Sequence, residues 1–109
     1  MNIKAVDISK ELEEGSKALQ LKDFTVAFEH YNRAWQKQIV DFESGKFNFA
    51  IVEEILAGLV STFAFQEIRS KTLLYCRKAR YWGSQKAIFY ELPCELHIQQ
   101  IRGSKEVVV

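Results

Sequence analysis

Four side chains in this chain can bind a metal or carry a proton near neutral pH: His30, Cys76, Cys94 and His97. Cys94 and His97 have the spacing of a ligand pair. A structural zinc site needs about four such ligands, so Cys76 and His30 would have to reach that pair from distant helices. The residues therefore predict no metal centre and no cofactor. Carboxylates offer no better start for catalysis. Glu13-Glu14 and Glu53-Glu54 are adjacent pairs, and adjacent residues on a helix point to different faces. The chain has no glycine-rich phosphate loop, no Gly-x-Ser-x-Gly turn and no His-Glu-x-x-His. The expectation is a protein that is not an enzyme.

A second set of residues suggests binding. Arg69, Lys71, Arg77, Lys78 and Arg80 alternate with Tyr75, Tyr81 and Trp82, the composition of a nucleic-acid patch. On a helical wheel the cations divide. Arg69, Arg77 and Arg80 gather on one side, and Lys71 and Lys78 lie on another. Two basic stripes flanking an apolar face also describe an ordinary solvated amphipathic helix. A nucleic-acid-binding regulator using residues 69–86 is therefore the alternative reading.

These residues need elements to position them, and the pattern predicts helices throughout. Val6, Ile8, Leu12, Gly15, Leu19 and Leu21 keep helical spacing over residues 5–22. Asp7 or Ser9 suits its start. Asp23 is the expected N-cap of a second helix, along which Ala27, Phe28, Tyr31, Ala34, Trp35, Ile39 and Phe42 recur to about residue 43. Gly45 suits its end. Asn48 would cap a third helix within Phe47 to Glu67, apolar around much of its circumference and so central. Gly58 inside it costs roughly 1 kcal/mol of helix propensity relative to alanine, which close helix approach would justify. A fourth helix covers residues 69–82, with Thr72, Cys76 and Ala79 on one face and Gly83-Ser84 at its end. Beyond it, Ala87, Ile88, Phe89 and Leu92 suggest a short helix stopped before Pro93, with strands as the alternative. Leu96, Ile98 and Ile101 would continue after Pro93, and 104–109 would form a flexible tail.

The stretch from Gly15 to Ala34 resembles one helical hairpin of a tetratricopeptide repeat. That pattern places Trp, Leu-Gly and Tyr on a first helix, then Ala, an aromatic, Ala and Pro along a second. Gly15 matches the first-helix glycine. Phe24 matches the aromatic opening the second helix, and Ala27, Tyr31 and Ala34 match the small-aromatic-small series. Glu11, Glu14, Ala18 and Ile39 stand in the Trp, Leu, Tyr and Pro slots and depart from it. Val60, Thr72, Cys76 and Ala79 form a fainter second copy, with Gly15 to Val60 separated by 45 residues instead of 34. The resemblance implies an all-α fold of antiparallel hairpins, about five helices with a C-terminal capping segment. It also implies a partner-facing groove on the first helix of each hairpin. Leu12, Ser16, Leu19, Gln20, Ser61 and Phe65 are the candidate contacts, with Trp82 an additional exposed aromatic. No Lys, Asn or Arg occupies the groove positions, so no carboxylate clamp is expected. The groove would be mildly apolar and suited to an amphipathic helix or an apolar peptide.

Totals agree with a small interaction module. The 109 residues suit one domain, here 1–103 with its tail. Apolar residues are 48% and charged residues 27%, a globular balance. Residues 1–54 carry 7 Lys/Arg against 10 Asp/Glu, a balance of −3, whereas 55–109 carry 8 against 4, a balance of +4. That division reads either as two solvated surfaces or as an acidic and a basic end able to associate head to tail. Two repeats are fewer than a stable stack needs, so the C-terminal segment or a second subunit, as in a homodimer, would cover the open end. Two cysteines make no disulfide framework. No apolar run has signal-peptide or membrane-spanning length. The expectation is a soluble cytoplasmic adaptor or regulator that binds another protein or a peptide and no membrane.

Overall fold

The computed structural model describes residues 3–92. Four α-helices follow one another: α1 (Ile8–Gln20), α2 (Phe24–Glu43), α3 (Phe49–Ala64) and α4 (Arg69–Tyr81). Short 3-10 turns at Ile3–Ala5 and Ala87–Phe89 flank them. Among the described residues there is no strand, so the fold is all-α, and the strand alternative for residues 87–89 is set aside. The expectations for Pro93, Leu96, Ile98, Ile101, the Cys94–His97 pair and the 104–109 tail lie outside the described residues.

Helix starts follow local chemistry. Asp7 accepts the Lys10 N–H at 3.3 Å, and Asp23 accepts the Val26 N–H at 3.3 Å. Asn48 accepts from Ala50 and Ile51 at 3.0 and 3.4 Å. Each contact satisfies donors that a helix start leaves open. Helix ends share one device. Lys22, Gly45, Glu67 and Gly83 take positive φ values of 59°, 80°, 59° and 92°. The next residue's N–H then reaches back to a carbonyl inside the helix, as in Asp23 to Ala18 and Ile68 to Phe63. Lys22 and Glu67 are not glycines, so each holds a conformation costing about 1–2 kcal/mol. These turns end α1 at Gln20 and α3 at Ala64, short of the residues 22 and 67 expected from periodicity alone.

Cross-helix pairs give the topology. Glu11 meets Arg33, while Gly15 meets Tyr31, so α1 and α2 run antiparallel. Phe28 meets Phe63 and Gly58 meets Tyr31, which makes α2 and α3 antiparallel as well. Phe63 stacks on Tyr75, and Ser84 just beyond α4 bonds to Glu53, repeating the arrangement. α1 and α3 lie side by side in one layer, α2 packs against both, and α4 packs on α3.

The core lies between these packed helices. Ala27, Ala34, Ile55, Leu56, Val60, Cys76 and Phe89 are fully buried. Tyr31 occupies the crossing of three helices. One edge of its ring faces Gly15, where an added Cβ would lie 3.0 Å from Tyr31 Cε2. The other edge faces Gly58, where an added Cβ would lie 2.6 Å from Cδ1 and closer still to Cε1 and Cζ. The glycines leave room for a tyrosine on the helix between them.

The segment after α4 closes the second hairpin. Phe89 is the largest fully buried side chain. Ser84 donates to Glu53 Oε2 at 2.5 Å, and the Tyr90 hydroxyl donates to the Ser84 carbonyl at 2.9 Å. Lys86 adds an ion pair to Glu53 at 3.4 Å. No helix among the described residues is long and apolar enough to cross a membrane.

Candidate functional site

The α1–α3 layer presents the groove that gathers the most sequence-derived candidates. Ser16, Leu19 and Gln20 from α1 form one wall, Phe65 at the end of α3 forms the other, and Lys22 and Phe24 close the end. The groove encloses about 570 Å³. Phe65 is 66% exposed, a large apolar side chain standing in solvent. A second groove borders the far side of Phe65, lined by Ser61, Ala64, Ile88, Glu91 and Leu92. Phe65 is thus a ridge shared by two apolar troughs. It stands there because α3 stops at Ala64 and the chain turns through Glu67.

Five of the seven partner-binding candidates therefore lie on this surface: Ser16, Leu19, Gln20, Ser61 and Phe65. Leu12 belongs instead to the core, with 9% of its surface exposed. Trp82 lies apart, at the other end of the molecule, packed on Phe42 and Phe47.

Tyr31 contributes to the electrostatics of the layer. Burial pushes its phenol pKa above the ordinary value, and the Glu54 carboxylate adds to that. The proton is thus held firmly at neutral pH.

No protein-family model matches the chain, and neither does any curated protein or solved structure. The site must be judged by its own geometry.

The basic residues of α4 are placed as follows. Lys78 extends its ammonium over the rings of Trp35 and Tyr75, 5.7 and 5.4 Å from their centroids. Arg80 lies over Tyr90 at 5.5 Å. The Arg69 Nε is buried without a hydrogen-bond partner. Lys71 and Arg77 are the exposed members of the set. Three of the five cations are thus occupied by packing, which leaves a thin basic surface for a polyanion.

One cluster was not read from the sequence. Glu11 Oε2 accepts from Arg33 Nε at 3.2 Å and lies 2.6 Å from His30 Nδ1. Arg33 Nη2 is also 2.8 Å from that same Nδ1. A neutral imidazole can satisfy one neighbour only, donating to Glu11 or accepting from Arg33. An ion-paired cluster thus joins α1 to α2. The available signal was register: Glu11 and Arg33 lie equally far from the turn residue Lys22.

Burial opposes ionisation of Glu11, but the hydrogen bonds and charges of His30 and Arg33 outweigh it and lower its pKa. A carboxylate with a depressed folded pKa stabilises the fold above its unfolded pKa, near 4.3. That contribution disappears as pH falls through the folded value. The wild-type protein is therefore expected to lose urea resistance more steeply than Glu11→Gln between about pH 5 and pH 3. Parallel pH profiles of the two urea midpoints would show that the cluster adds no pH-dependent stability.

Cys76 is a packing residue. It is fully buried, and burial pushes its thiol pKa up to about 11. Such a thiol is neither a nucleophile nor a ready metal ligand at neutral pH. Among the described residues, no three His, Cys, Asp or Glu side chains gather as a metal site.

Proposed function

We propose that this protein is a small non-catalytic interaction module, an adaptor or regulator of tetratricopeptide-like build, whose α1–α3 face binds an amphipathic helix or an extended apolar peptide. The observation that carries this is Phe65, exposed on the ridge between two apolar troughs. A solvated phenylalanine flanked by concave apolar surface is a natural anchor for a partner's side chains.

Matching burial at equal spacings supports the reading. Gly15, Ala27, Tyr31 and Ala34 are all buried, and so are Val60, Thr72, Cys76 and Ala79 at the corresponding spacings. Lys22-Asp23 and Glu67-Ile68 make the same turn, 45 residues apart. Both sets of first-helix residues then share one face.

The test uses a photo-crosslinking residue placed at position 65 and, as a control, at Glu29, an exposed position on α2. Crosslinks at 65 that disappear when Leu19 is replaced by serine are expected, with helicity by circular dichroism unchanged. Equal crosslinking from both positions, insensitive to Leu19→Ser, would remove the α1–α3 face as the binding surface. Binding of duplex or single-stranded DNA that falls steeply with salt, and depends on Lys71 and Arg77, would replace this reading with the nucleic-acid one.

A further inference from the structure

The last described residue, Leu92, lines the trough beside Phe65, together with Ile88, Glu91, Ser61 and Ala64. This trough encloses about 370 Å³. Phe65 also lines the larger groove that holds Ser16, Leu19 and Gln20, so one side chain separates the two.

The chain is anchored just before it leaves. Phe89 is completely buried, and the Tyr90 hydroxyl donates to the Ser84 carbonyl at 2.9 Å. Ile88 and Leu92 are half-buried against the core. The next Cα lies about 3.8 Å from that of Leu92, so the remaining chain starts beside the trough and cannot start elsewhere. Its sequence suits an apolar surface. Leu96, Ile98 and Ile101 fall within nine residues of Leu92. Glu95 is the only Asp, Glu, Lys or Arg from 93 to 101, so covering this stretch desolvates little charge. Nine residues reach about 30 Å extended and about 13 Å as a helix, and either length passes one phenylalanine side chain. Tethering also gives the segment an effective concentration on the order of millimolar at this surface. A second copy or a separate peptide in dilute solution competes at far lower concentration.

We infer that the chain's own residues 93–101 lie across Phe65, with Leu96, Ile98 and Ile101 covering the trough and the Leu19 side of the groove. The segment is then a built-in competitor for the α1–α3 face. A partner binds only the fraction of molecules whose segment is displaced, and its apparent affinity falls by that fraction. This consequence rests on the proposed function. The contact itself does not, and it is tested without a partner.

The test places a nitroxide at position 100 through Gln100→Cys, with Cys94→Ser. Cys76 is fully buried and its thiol pKa is pushed up to about 11, so it does not compete for the label. Amide NMR signals of Ser16, Leu19 and Gln20 are expected to lose most of their intensity relative to the reduced nitroxide. Those of Glu29 on α2 and Arg77 on α4, both exposed, should keep theirs. The same label in a chain carrying Leu96→Asp and Ile98→Asp should spare all of them, with the rest of the spectrum unchanged. Loss that persists in that variant, or that spreads evenly to Glu29 and Arg77, overturns the contact. Loss seen when nitroxide-bearing protein is mixed with isotopically enriched protein lacking the nitroxide assigns the contact to a second copy and overturns it as well. If the contact holds while crosslinking at position 65 captures no partner, the proposed function fails and the contact stands.

Discussion

Replacing Phe89 by alanine is expected to destabilise the protein by about 3–5 kcal/mol, the usual cost of emptying a fully buried aromatic site. The residue sits in a 3-10 turn of three residues, an element with little stability of its own. Its side chain is nevertheless completely buried against α3 and α4. The turn is therefore held by its side chain, and the side chain fills the end of the second hairpin. Truncation leaves a cavity that the turn cannot collapse into without breaking the Ser84–Glu53 and Tyr90–Ser84 hydrogen bonds. Tm should fall by more than about 10 °C. Backbone amides of residues 84–90 should lose hydrogen-exchange protection ahead of those of α2. A Tm within a few degrees of wild type would show that the segment is an appendage and closes nothing.

Gly58→Ala gives the second large effect, and propensity predicts its opposite. Alanine favours a helix interior over glycine by about 1 kcal/mol. Here the new methyl would fall inside the Tyr31 ring, 2.6 Å from Cδ1 and nearer to two further ring atoms. Gly15 borders the other edge of the ring, where an added Cβ would itself lie 3.0 Å from it. Overpacking of this kind costs about 1–3 kcal/mol and sometimes more, so a net loss of about 2 kcal/mol is expected despite the propensity gain. A double-mutant cycle tests the cause. Tyr31→Leu alone should also destabilise, but Gly58→Ala should cost far less in its presence. Additive losses in chemical denaturation would mean that Tyr31 is not what the methyl meets. Gly15→Ala, with 3.0–3.3 Å to the same ring, should be milder.

These two residues mark how far the sequence is legible. Gly58 can be recognised as a tolerated cost inside an apolar helix, and close approach follows as its reason. That its neighbour is Tyr31, and that Gly15 stands opposite, depends on the register of α3 against α2. Phe89 is legible as an apolar residue in a short segment. Its complete burial depends on the chain after Gly83 folding back over α3. The Glu11–His30–Arg33 cluster left only the signal of register, Glu11 and Arg33 standing equally far from Lys22.

The sequence by itself determined the helices, their order and their caps. Asp23 and Asn48 act on N–H groups two or three residues ahead, and Gly45 and Gly83 act on the turn that contains them. Such interactions span one turn of chain, so they are written in consecutive residues. Apolar spacing likewise selected the buried faces, including Ala27, Tyr31, Ala34, Thr72, Cys76 and Ala79. Only the tertiary structure decided which faces meet. It placed Leu12 in the core, joined Ser61 to the α1 candidates through Phe65, and set Trp82 at the other end. Those outcomes depend on the axial register and rotation of one helix on another. That geometry is fixed by the summed volumes of side chains far apart in the sequence, and no local pattern contains it.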